Sequence, residues 1–369
     1  MEPSKSPEGT AKRIIIIGPS GRSIARLRRA LIRDLIQRQT TVLALAPDMR
    51  TEDAQALIAL GCEAGSYILK PEKFSLFPGR IVVRALADRI KAWQPHGVLV
   101  FGIAIAPLAV KAARHAGVAK TVLIVSELGD RPPGLAFSRA LKSADTIVAH
   151  NGDDHRILAR SGFNGSAGKL IRVAGAGADL AALNGLAVPG LEQGVVFLMA
   201  ARLDREKGAY DFCEAARILK GEGAAAQFLL AGPGGSGDGA MRPEELSKYA
   251  DAVEFLGDAT DLRAALQRAH VFVAPSHLEG MPHAVQQAMA AGRPVIVANV
   301  PGSRETVDEM VNGIAVAPRD PKALADAMRR VMRNKDVLPA MGRASRAKAE
   351  RHYDATVVNA QLRAALGLS

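Results

Sequence analysis

The sequence predicts an α/β protein with two domains, each built on a doubly wound parallel sheet. The first observation is length, because 369 residues are too many for one ordinary hydrophobic core. The second is an alternation of short apolar runs with helical stretches, which starts at residue 13 and restarts at residue 195. The third is composition, because 35 glycines and 48% hydrophobic residues fit an α/β protein. Two such sheets predict a ligand crevice at the carboxyl ends of their strands.

The first domain is expected to span residues 12–183, after a disordered tail at 1–11. Its first strand, RIIIIG, leads into a glycine turn with Gly18 and Gly21 and then into a helix at 22–38. A strand, a glycine turn and a helix are typical of nucleotide or phosphate binding, although this turn lacks the G-x-G-x-x-G spacing. The predicted strands are 13–18, 41–47, 66–70, 98–102, 121–126, 145–150 and 169–175.

A linker is expected at residues 184–194 and a second domain at 195–345. The final segment, 346–369, is expected to be a C-terminal helical segment. The predicted strands of the second domain are 195–201, 227–232, 253–257, 271–275, 295–298 and 314–318. Helices are predicted at 321–334, 338–351 and 354–366.

Charge and composition narrow the class of partner. The formal net charge is +11, from 48 Lys and Arg against 37 Asp and Glu, which favours anionic ligands or surfaces. Nucleic acid is not expected, because no nucleic-acid-binding module is recognised and only 4% of residues are aromatic. The two cysteines, Cys62 and Cys213, lack metal-binding or redox spacing. With no apparent signal peptide or membrane-spanning segment, the sequence predicts a cytoplasmic protein.

Residues 271–309 contain the segment with the strongest functional pattern. VFVAP reads as a buried strand, and a tight loop with Glu279 and Gly280 follows it. Pro282 falls where a helix would begin, and Gly292 and Pro294 would end that helix. The backbone N–H groups at such a helix start, near 280–282, favour an anion. The carboxylate of Glu279 beside them suits the hydroxyl groups of a sugar, so a phosphorylated sugar fits better than a bare phosphate.

These motifs resemble the donor-sugar site of retaining GT-B glycosyltransferases of family 4. The segments that match are Glu279-Gly280-Met281-Pro282, Ala291-Gly292-Arg293-Pro294-Val295 and the string V-P-G-S-R-E-T-V at 300–307. The last string is similar to the subgroup that builds bacterial lipid-linked oligosaccharides and polysaccharides. The resemblance implies a GT-B fold and transfer of a sugar from a nucleotide diphosphate, with UDP as the expected nucleotide. It also implies that the last helix packs back on the first domain.

Residue roles follow from the same resemblance. Arg202 and Lys207 match the family's R-L-x-x-x-K-G motif, which stabilises the leaving diphosphate. Glu279 would orient the donor sugar, and Gly280, Met281 and Pro282 would contact the donor. Gly18 and Gly21 are also candidates for donor binding, because of the glycine turn that follows the first strand and not because of the resemblance. The chain departs at Gln287, where the family has a second Glu that holds the ribose. Because Gln has one acceptor oxygen and no charge, we expect weaker nucleotide affinity or an altered nucleotide preference. The neighbouring Gln286 is a weaker candidate for the same role.

The first domain carries the weaker part of the resemblance. Relatives often place His after the strand at 98–102, and this chain has none there. Glu127, at the end of the strand 121–126, is a candidate for acceptor hydroxyls. Asn151 and Asp154 are read as ordinary helix caps. Arginines at helical spacing on 22–38 form a basic face that is a candidate for anionic lipid or a polyprenyl diphosphate; they are Arg22, Arg26, Arg29 and Arg33.

The sequence therefore predicts a retaining glycosyltransferase with a nucleotide-sugar donor and a polyprenyl-diphosphate-linked glycan or polysaccharide acceptor. No metal and no cofactor are expected, and the protein is placed at the inner face of the plasma membrane as a peripheral protein. The main alternative is a catalytically weakened nucleotide-sugar-binding or scaffold protein, because of Gln287 and the absent histidines. A nucleotide-sugar 2-epimerase of the same fold is disfavoured, because the R-L-x-x-x-K-G and E-G-x-P motifs belong to the transferases.

Overall fold

Two parallel sheets, each covered by helices on both faces, form the molecule. The computed structural model describes residues 12–67, 78–129, 134–163, 170–235, 239–258 and 261–368. The predicted tail at 1–11 lies outside these residues, as do residues 68–70 of the predicted third strand.

The first sheet has the strand order β3-β2-β1-β4-β5-β6-β7, and every neighbouring pair in it is parallel. Its central strands are almost fully buried, as expected when helices cover both faces. Chain order reverses between β1 and β4, so the switch point of this sheet lies at their carboxyl ends. The strands are β1 (Arg13–Ile17), β2 (Thr41–Ala46), β3 (Glu63–Ser66), β4 (Gly97–Phe101), β5 (Lys120–Val125), β6 (Thr146–Ala149) and β7 (Leu170–Arg172).

The second sheet has the strand order β10-β9-β8-β11-β12-β13 and is also parallel. Its switch point lies between β8 and β11, directly beside the two motifs that the sequence singled out. The strands are β8 (Val195–Ala200), β9 (Ala226–Ala231), β10 (Glu254–Phe255), β11 (Val271–Ala274), β12 (Val295–Ala298) and β13 (Gly313–Val316).

The α-helices of the described residues connect these strands. Those of the first half are α1 (Gly21–Leu27), α2 (Arg29–Gln37), α3 (Thr51–Ile58), α4 (Pro78–Trp93), α5 (Ala106–His115), α6 (Leu135–Ser143) and α7 (Gly152–Leu158). Those of the second half are α8 (Ala209–Gly221), α9 (Pro243–Leu246), α10 (Leu262–Gln267), α11 (His283–Ala290), α12 (Pro321–Arg333), α13 (Leu338–His352) and α14 (Ala355–Ala365).

The last helix, α14, packs on the first domain. Val358, Leu362 and Leu366 are buried in one cluster with Ile14 and Ile16 of β1. Leu362 is 1% exposed, so this contact is part of the hydrophobic core and not a surface association. β1 and α14 thus belong to the same domain.

One predicted helix is wrong in its extent. The expected single helix at 22–38 is divided into α1 and α2, because Arg28 leaves the helical conformation with φ −117° and ψ 7°. Its side chain is buried over the ring of Phe101 instead of continuing the exposed basic face. The predicted third strand also lies earlier than expected, at Glu63–Ser66.

Candidate functional site

The loop between β11 and α11 lies at the carboxyl edge of the second sheet and faces the first domain. Glu279 is largely buried in this loop, with 15% of its side chain exposed. Pro282 precedes α11 as its cap residue, so the helix begins at His283, one position later than the sequence predicted. The first N–H groups of a helix have no intrahelical acceptor, so α11 points free donors toward the cleft.

Lys207 lies between two carboxylates that belong to different domains. Its Nζ donates to Glu279 Oε2 at 3.0 Å and lies 3.5 Å from Glu127 Oε1. Glu127 follows β5 of the first domain in a left-handed conformation with φ 62°, which is uncommon for a residue with a side chain. The structure therefore brings together three residues that the sequence had assigned to two different substrates.

The ionisation of this group is shifted by burial and by mutual contact. Burial and the neighbouring Glu279 raise the pKa of Glu127, and Lys207 opposes that effect. Burial acts to lower the pKa of Lys207, but Glu279 and Glu127 outweigh it and the pKa is raised. Lys207 is therefore protonated at neutral pH, and its positive charge is compensated by the carboxylates of Glu279 and Glu127.

Arg202 lies at the same edge of the sheet and is also paired. Its Nε donates to Asp204, and its Nη2 lies 3.5 Å from Glu206 Oε2. Asp204 also accepts from the backbone N–H of Lys207 at 2.8 Å, which fixes the turn between the two cations. In the second domain, Arg202 and Lys207 are paired with three carboxylates, those of Asp204, Glu206 and Glu279. This part of the site is therefore not strongly electropositive by itself.

Gly280 brings the two domains into direct contact. A Cβ on this residue would lie 2.6 Å from Cβ of Ser126 and 3.0 Å from the backbone N of Glu127. Its carbonyl oxygen accepts from Asn151 Nδ2 at 2.6 Å. The close approach explains the glycine physically, because any side chain would push the donor loop away from the first domain.

Further polar contacts hold the cleft closed on the side of β7. Glu305 accepts from the backbone N–H of Gly152 at 2.7 Å and pairs with Arg172 at 2.6 Å. Glu305 belongs to the V-P-G-S-R-E-T-V string, so this motif contributes an interdomain contact. The sequence alone predicts no role for Glu305, because its partners come from strand and loop positions about 130 to 150 residues earlier.

The two glutamines of α11 have different environments. Gln287 is half-buried, and its side chain has no hydrogen bond in the described residues. Gln286 is fully buried and donates to the carbonyl of Ala174 at 2.8 Å. Gln286 therefore ties the donor helix to the end of the first domain, and this geometry does not support the idea that it replaces Gln287.

Gly18 and Gly21 flank the turn between β1 and α1. Their N–H groups donate to the carbonyls of Leu45 and Asp48 at 3.1 and 2.7 Å, so neither is free for a phosphate. A Cβ at Gly18 would lie 2.6 Å from the ring of Phe101. Packing accounts for both glycines, and their role in donor binding stays a prediction.

The four arginines of the predicted basic face point in different directions. Arg22 pairs with Asp258 of the second domain at 3.0 Å, and Arg33 lies 3.5 Å from Asp179. Burial lowers the pKa of Arg26, while the nearby carboxylates of Asp258 and Glu279 act to raise it. Arg29 is exposed. Arg22 and Arg26 thus border the cleft with the second domain, beside the donor loop.

A large cavity lies away from this cleft. It has a volume of about 600 Å³ and lies between the linker and α13, at the amino ends of the strands of the second sheet. Leu186, Pro189 and Leu338 contribute to its apolar lining, and Arg293 and Arg346 to its polar part. Ligands of doubly wound sheets bind at the opposite, carboxyl edge. We therefore assign the candidate site to the cleft.

The fold and the cleft together define a GT-B protein. Residues 194–334 match the family described as "Glycosyl transferases group 1", so the match covers the second domain and its donor loop. Glu279, Arg202 and Lys207 all lie within the matched residues.

Curated relatives are similar to parts of this chain. Glycogen synthase of Mycobacterium tuberculosis (strain ATCC 25618 / H37Rv) is 32% identical over 159 residues, 42% of this chain and 38% of the relative. An N,N'-diacetylbacillosaminyl-diphospho-undecaprenol alpha-1,3-N-acetylgalactosaminyltransferase of Campylobacter jejuni is 31% identical over 131 residues, 36% of this chain and 34% of the relative. The D-inositol 3-phosphate glycosyltransferase of Geodermatophilus obscurus is 32% identical over 240 residues, 58% of this chain and 52% of the relative. The chain thus matches about half the length of these relatives or less.

Solved structures share the fold over nearly the whole chain. Anabaena Alr3699/HepE in complex with UDP-glucose has a TM-score of 0.78 at 16% identity, covering 96% of this chain and 99% of that one. Sucrose-phosphate synthase of Thermosynechococcus elongatus has a TM-score of 0.70 at 18% identity, covering 95% and 97%. These likenesses establish the two-domain GT-B architecture.

None of the helices within the described ranges is long and apolar enough to cross a lipid bilayer. Across the same residues, no three His, Cys, Asp or Glu side chains are grouped so that they could hold a metal ion.

Proposed function

We propose that this protein is a glycosyltransferase that moves a sugar from a nucleotide diphosphate, with UDP as the nucleotide, to a lipid-linked or polysaccharide acceptor with retention of configuration. The observation that carries the proposal is the position of Lys207 and Glu279 in the closed cleft, next to the start of α11. Support for the acceptor class comes from the Campylobacter jejuni relative, whose name describes a diphospho-undecaprenol substrate.

In the proposed reaction Arg202 and Lys207 stabilise the negative charge that develops on the leaving diphosphate. Lys207 then exchanges part of its contact with Glu127 for a phosphate oxygen. The N–H groups at the start of α11 add to this stabilisation. Glu279 accepts hydrogen bonds from hydroxyl groups of the sugar. The proposal relies on these groups and includes neither a metal nor another cofactor.

Closure of the cleft serves the same reaction. Gly280 allows the donor loop to touch Ser126 and Glu127, which limits the water that reaches the sugar. Glu127 is the residue of the first domain that comes nearest to Lys207, so we place acceptor hydroxyls beside it.

We further propose that the protein works at the inner face of the plasma membrane. A groove of about 480 Å³ lies between α4 and α5 of the first domain and is lined by Arg84, Lys91, Lys111 and His115 among others. Asp88 is the acidic side chain in the same lining. A concave basic surface supports attraction to anionic lipid, by up to about 1 kcal/mol per basic residue near the membrane surface.

Gln287 supports a second candidate function, a nucleotide-sugar-binding protein with weakened catalysis. The side chain is half-buried without a hydrogen-bond partner in the described part of the chain. A neutral amide also holds two ribose hydroxyls less strongly than a carboxylate does.

Calorimetric titration with UDP, GDP and ADP tests the donor site. We expect binding of UDP at micromolar level and its loss in Arg202→Ala/Lys207→Ala. The matched control is Arg217→Ala, because Arg217 is a paired surface arginine of the second domain away from the cleft. Binding of none of the three nucleotides would refute the transferase proposal. Binding without sugar transfer from UDP-sugars would favour the second candidate.

A further inference from the structure

Arg28 is a buried arginine without an anionic partner. Only 2% of its surface is exposed, and its Nε is buried with no hydrogen-bond acceptor. Its guanidinium lies over the ring of Phe101, with 4.8 Å between Cζ and the ring centre. Burial lowers the pKa of Arg28 to about 10, so the group is still charged at neutral pH. An uncompensated buried charge is costly, and a cation–π contact offsets only part of that cost.

Two histidines near Arg28 also carry buried nitrogens without partners. These atoms are Nε2 of His150, which follows β6, and Nδ1 of His283, which begins α11. Burial lowers the pKa of His150 to about 3, and the charge of Arg28 contributes. Burial lowers the pKa of His283 to about 4, with contributions from Arg26 and Arg28. Both imidazoles are therefore neutral at neutral pH, and no carboxylate contributes to the shift of any of the three groups.

The cluster lies where a doubly wound sheet binds its ligand. Phe101, under the guanidinium, ends β4, and Gly18, which packs on the same ring, follows β1. These two strands form the switch point of the first sheet. His283 comes from the second domain and is half-buried, and the neighbouring Arg26 is exposed in the cleft. The cluster therefore borders the cleft and is complete only when both domains are in contact.

We propose that Arg28, His150 and His283 bind a phosphoryl group of the acceptor substrate. The proposal rests on the proposed glycosyl transfer and assigns the anionic part of its acceptor. A planar guanidinium offers several N–H donors in fixed directions, and the neutral imidazole of His150 can add one. A tetrahedral phosphoryl group has enough oxygens to accept from both side chains, while His283, whose other ring nitrogen faces the Gly177 carbonyl, lines the site from the second domain. The bound phosphoryl group would also supply the anionic partner that Arg28 lacks.

The acceptor is favoured over the donor by the position of the cluster. Arg28 and His150 belong to the first domain, whereas Arg202, Lys207 and Glu279 belong to the second. The cluster also holds no acidic group, while each donor-side cation is already paired with carboxylates. A phosphoryl group of the acceptor would thus find an unpaired positive charge that the donor site does not offer.

Calorimetric titration of the full chain with inorganic pyrophosphate and with a short-chain prenyl diphosphate tests the proposal. Both titrations use the Arg202→Ala/Lys207→Ala background, so that diphosphate bound by those cations is not measured. We expect Arg28→Met to weaken both ligands by about 10- to 100-fold, because Met fills the space without the charge. UDP, titrated against the chain with Arg202 and Lys207 intact, is expected to bind Arg28→Met within about twofold of the unchanged protein.

Arg38→Met is the matched control, because Arg38 is an exposed arginine of the first domain outside the proposed site. Unchanged binding of both diphosphates in Arg28→Met would overturn the proposal and leave Arg28 as a packing residue. If Arg28→Met loses UDP affinity by the same factor as diphosphate affinity, the assignment of the cluster to the acceptor would be overturned. If Arg28→Met fails to fold, His150→Phe tests the same site with the arginine retained, and unchanged diphosphate binding there has the same meaning. Failure of the donor proposal would show separately, as absence of UDP binding to the unchanged protein.

Discussion

Lys207 shows why the cleft of a glycosyltransferase-like protein need not be electropositive. Its ammonium is shared by Glu279 and Glu127, which come from opposite walls. A diphosphate that approaches Lys207 must therefore overcome repulsion from these carboxylates. Glu127 is the one that a phosphate would displace, because its distance to Nζ is the longer of the two, 3.5 Å against 3.0 Å.

Glu127→Gln should raise the affinity for UDP, because the variant keeps the shape of the side chain and removes one repelling charge. We expect an increase of about 5- to 10-fold near neutral pH, measured by calorimetry. Since the pKa of Glu127 is raised, the unchanged protein should gain UDP affinity as the pH falls and Glu127 takes up a proton. The difference between the two proteins should then shrink toward acid pH. A difference that stays constant with pH would contradict this account.

Gln287→Glu should strengthen UDP binding by about tenfold, because a carboxylate accepts more strongly from hydroxyl groups than an amide does. Titration with UDP and with uracil checks the assignment, since the base alone has no ribose and its affinity should not change. Gln267→Glu, at an exposed position at the end of α10, is the control for added charge. No gain in UDP affinity would mean that position 287 does not contact the ribose.

At the scale of elements, the start of α7 links the two sides of the cleft. Asn151 caps this helix by accepting from the N–H of Asp154 at 2.7 Å, and its Nδ2 reaches both Asp154 and the carbonyl of Gly280. Asp154 in turn accepts from the N–H of Leu128 at 3.2 Å, next to Glu127. The predicted cap role is confirmed for Asn151, whereas the carboxylate of Asp154 serves to position the loop that carries Glu127.

Asp154 should make stability depend on pH in the acid range. Burial raises the pKa of this carboxyl from 3.8 to about 6, so the folded state holds its proton more tightly than the unfolded state does. The free energy of unfolding should therefore fall as the pH rises from about 4 to about 6, by at most about 3 kcal/mol from this group. Urea unfolding of Asp154→Asn across this range should show a smaller slope. An identical slope in both proteins would contradict the prediction.

Strands and most helices could be predicted because their apolar runs are local signals. The last three predicted helices, 321–334, 338–351 and 354–366, agree with α12, α13 and α14 within one or two residues. The break at Arg28 could not be predicted. The spacing of Arg26, Arg29 and Arg33 continues a helix, and the burial of Arg28 depends on Phe101, which lies 73 positions later in the sequence.

The candidate site was predicted unevenly for the same reason. Glu279, Lys207 and Arg202 lie in short motifs, whereas Asn151, Glu305 and Arg28 have functions that depend on partners from distant segments. The burial of Arg28 without an anionic partner could not be predicted from the sequence, because an arginine in a basic helix is ordinarily exposed to solvent.

At the scale of the whole molecule, the two domains are held together by polar contacts at several points of the cleft. Arg22 with Asp258 and Glu305 with Gly152 and Arg172 lie on the two sides of the donor loop. Exposed pairs of this kind are individually weak, with about 0–1 kcal/mol each. Such contacts suit a cleft that must open to exchange substrates.

Glu305→Ala should open the cleft, because it removes the acceptor of the Gly152 N–H and the partner of Arg172. We expect a larger radius of gyration in small-angle X-ray scattering and a loss of stability of about 1–2 kcal/mol. Asp336→Ala, at an exposed position outside the cleft, is the control. A scattering curve identical to that of the unchanged protein would show that Glu305 does not hold the domains together.

The return of α14 to the first domain makes the second domain an insertion between β7 and the helix that completes the first core. Leu362 and Leu366 contact the face of β1 that Ile14 and Ile16 present, but they leave the ribosome more than 340 residues later. During synthesis the part of that face that α14 covers therefore stays open while the second domain folds, although α1, α2 and α3 already pack on the rest of it. The first domain is the earlier to be made and the later to be finished.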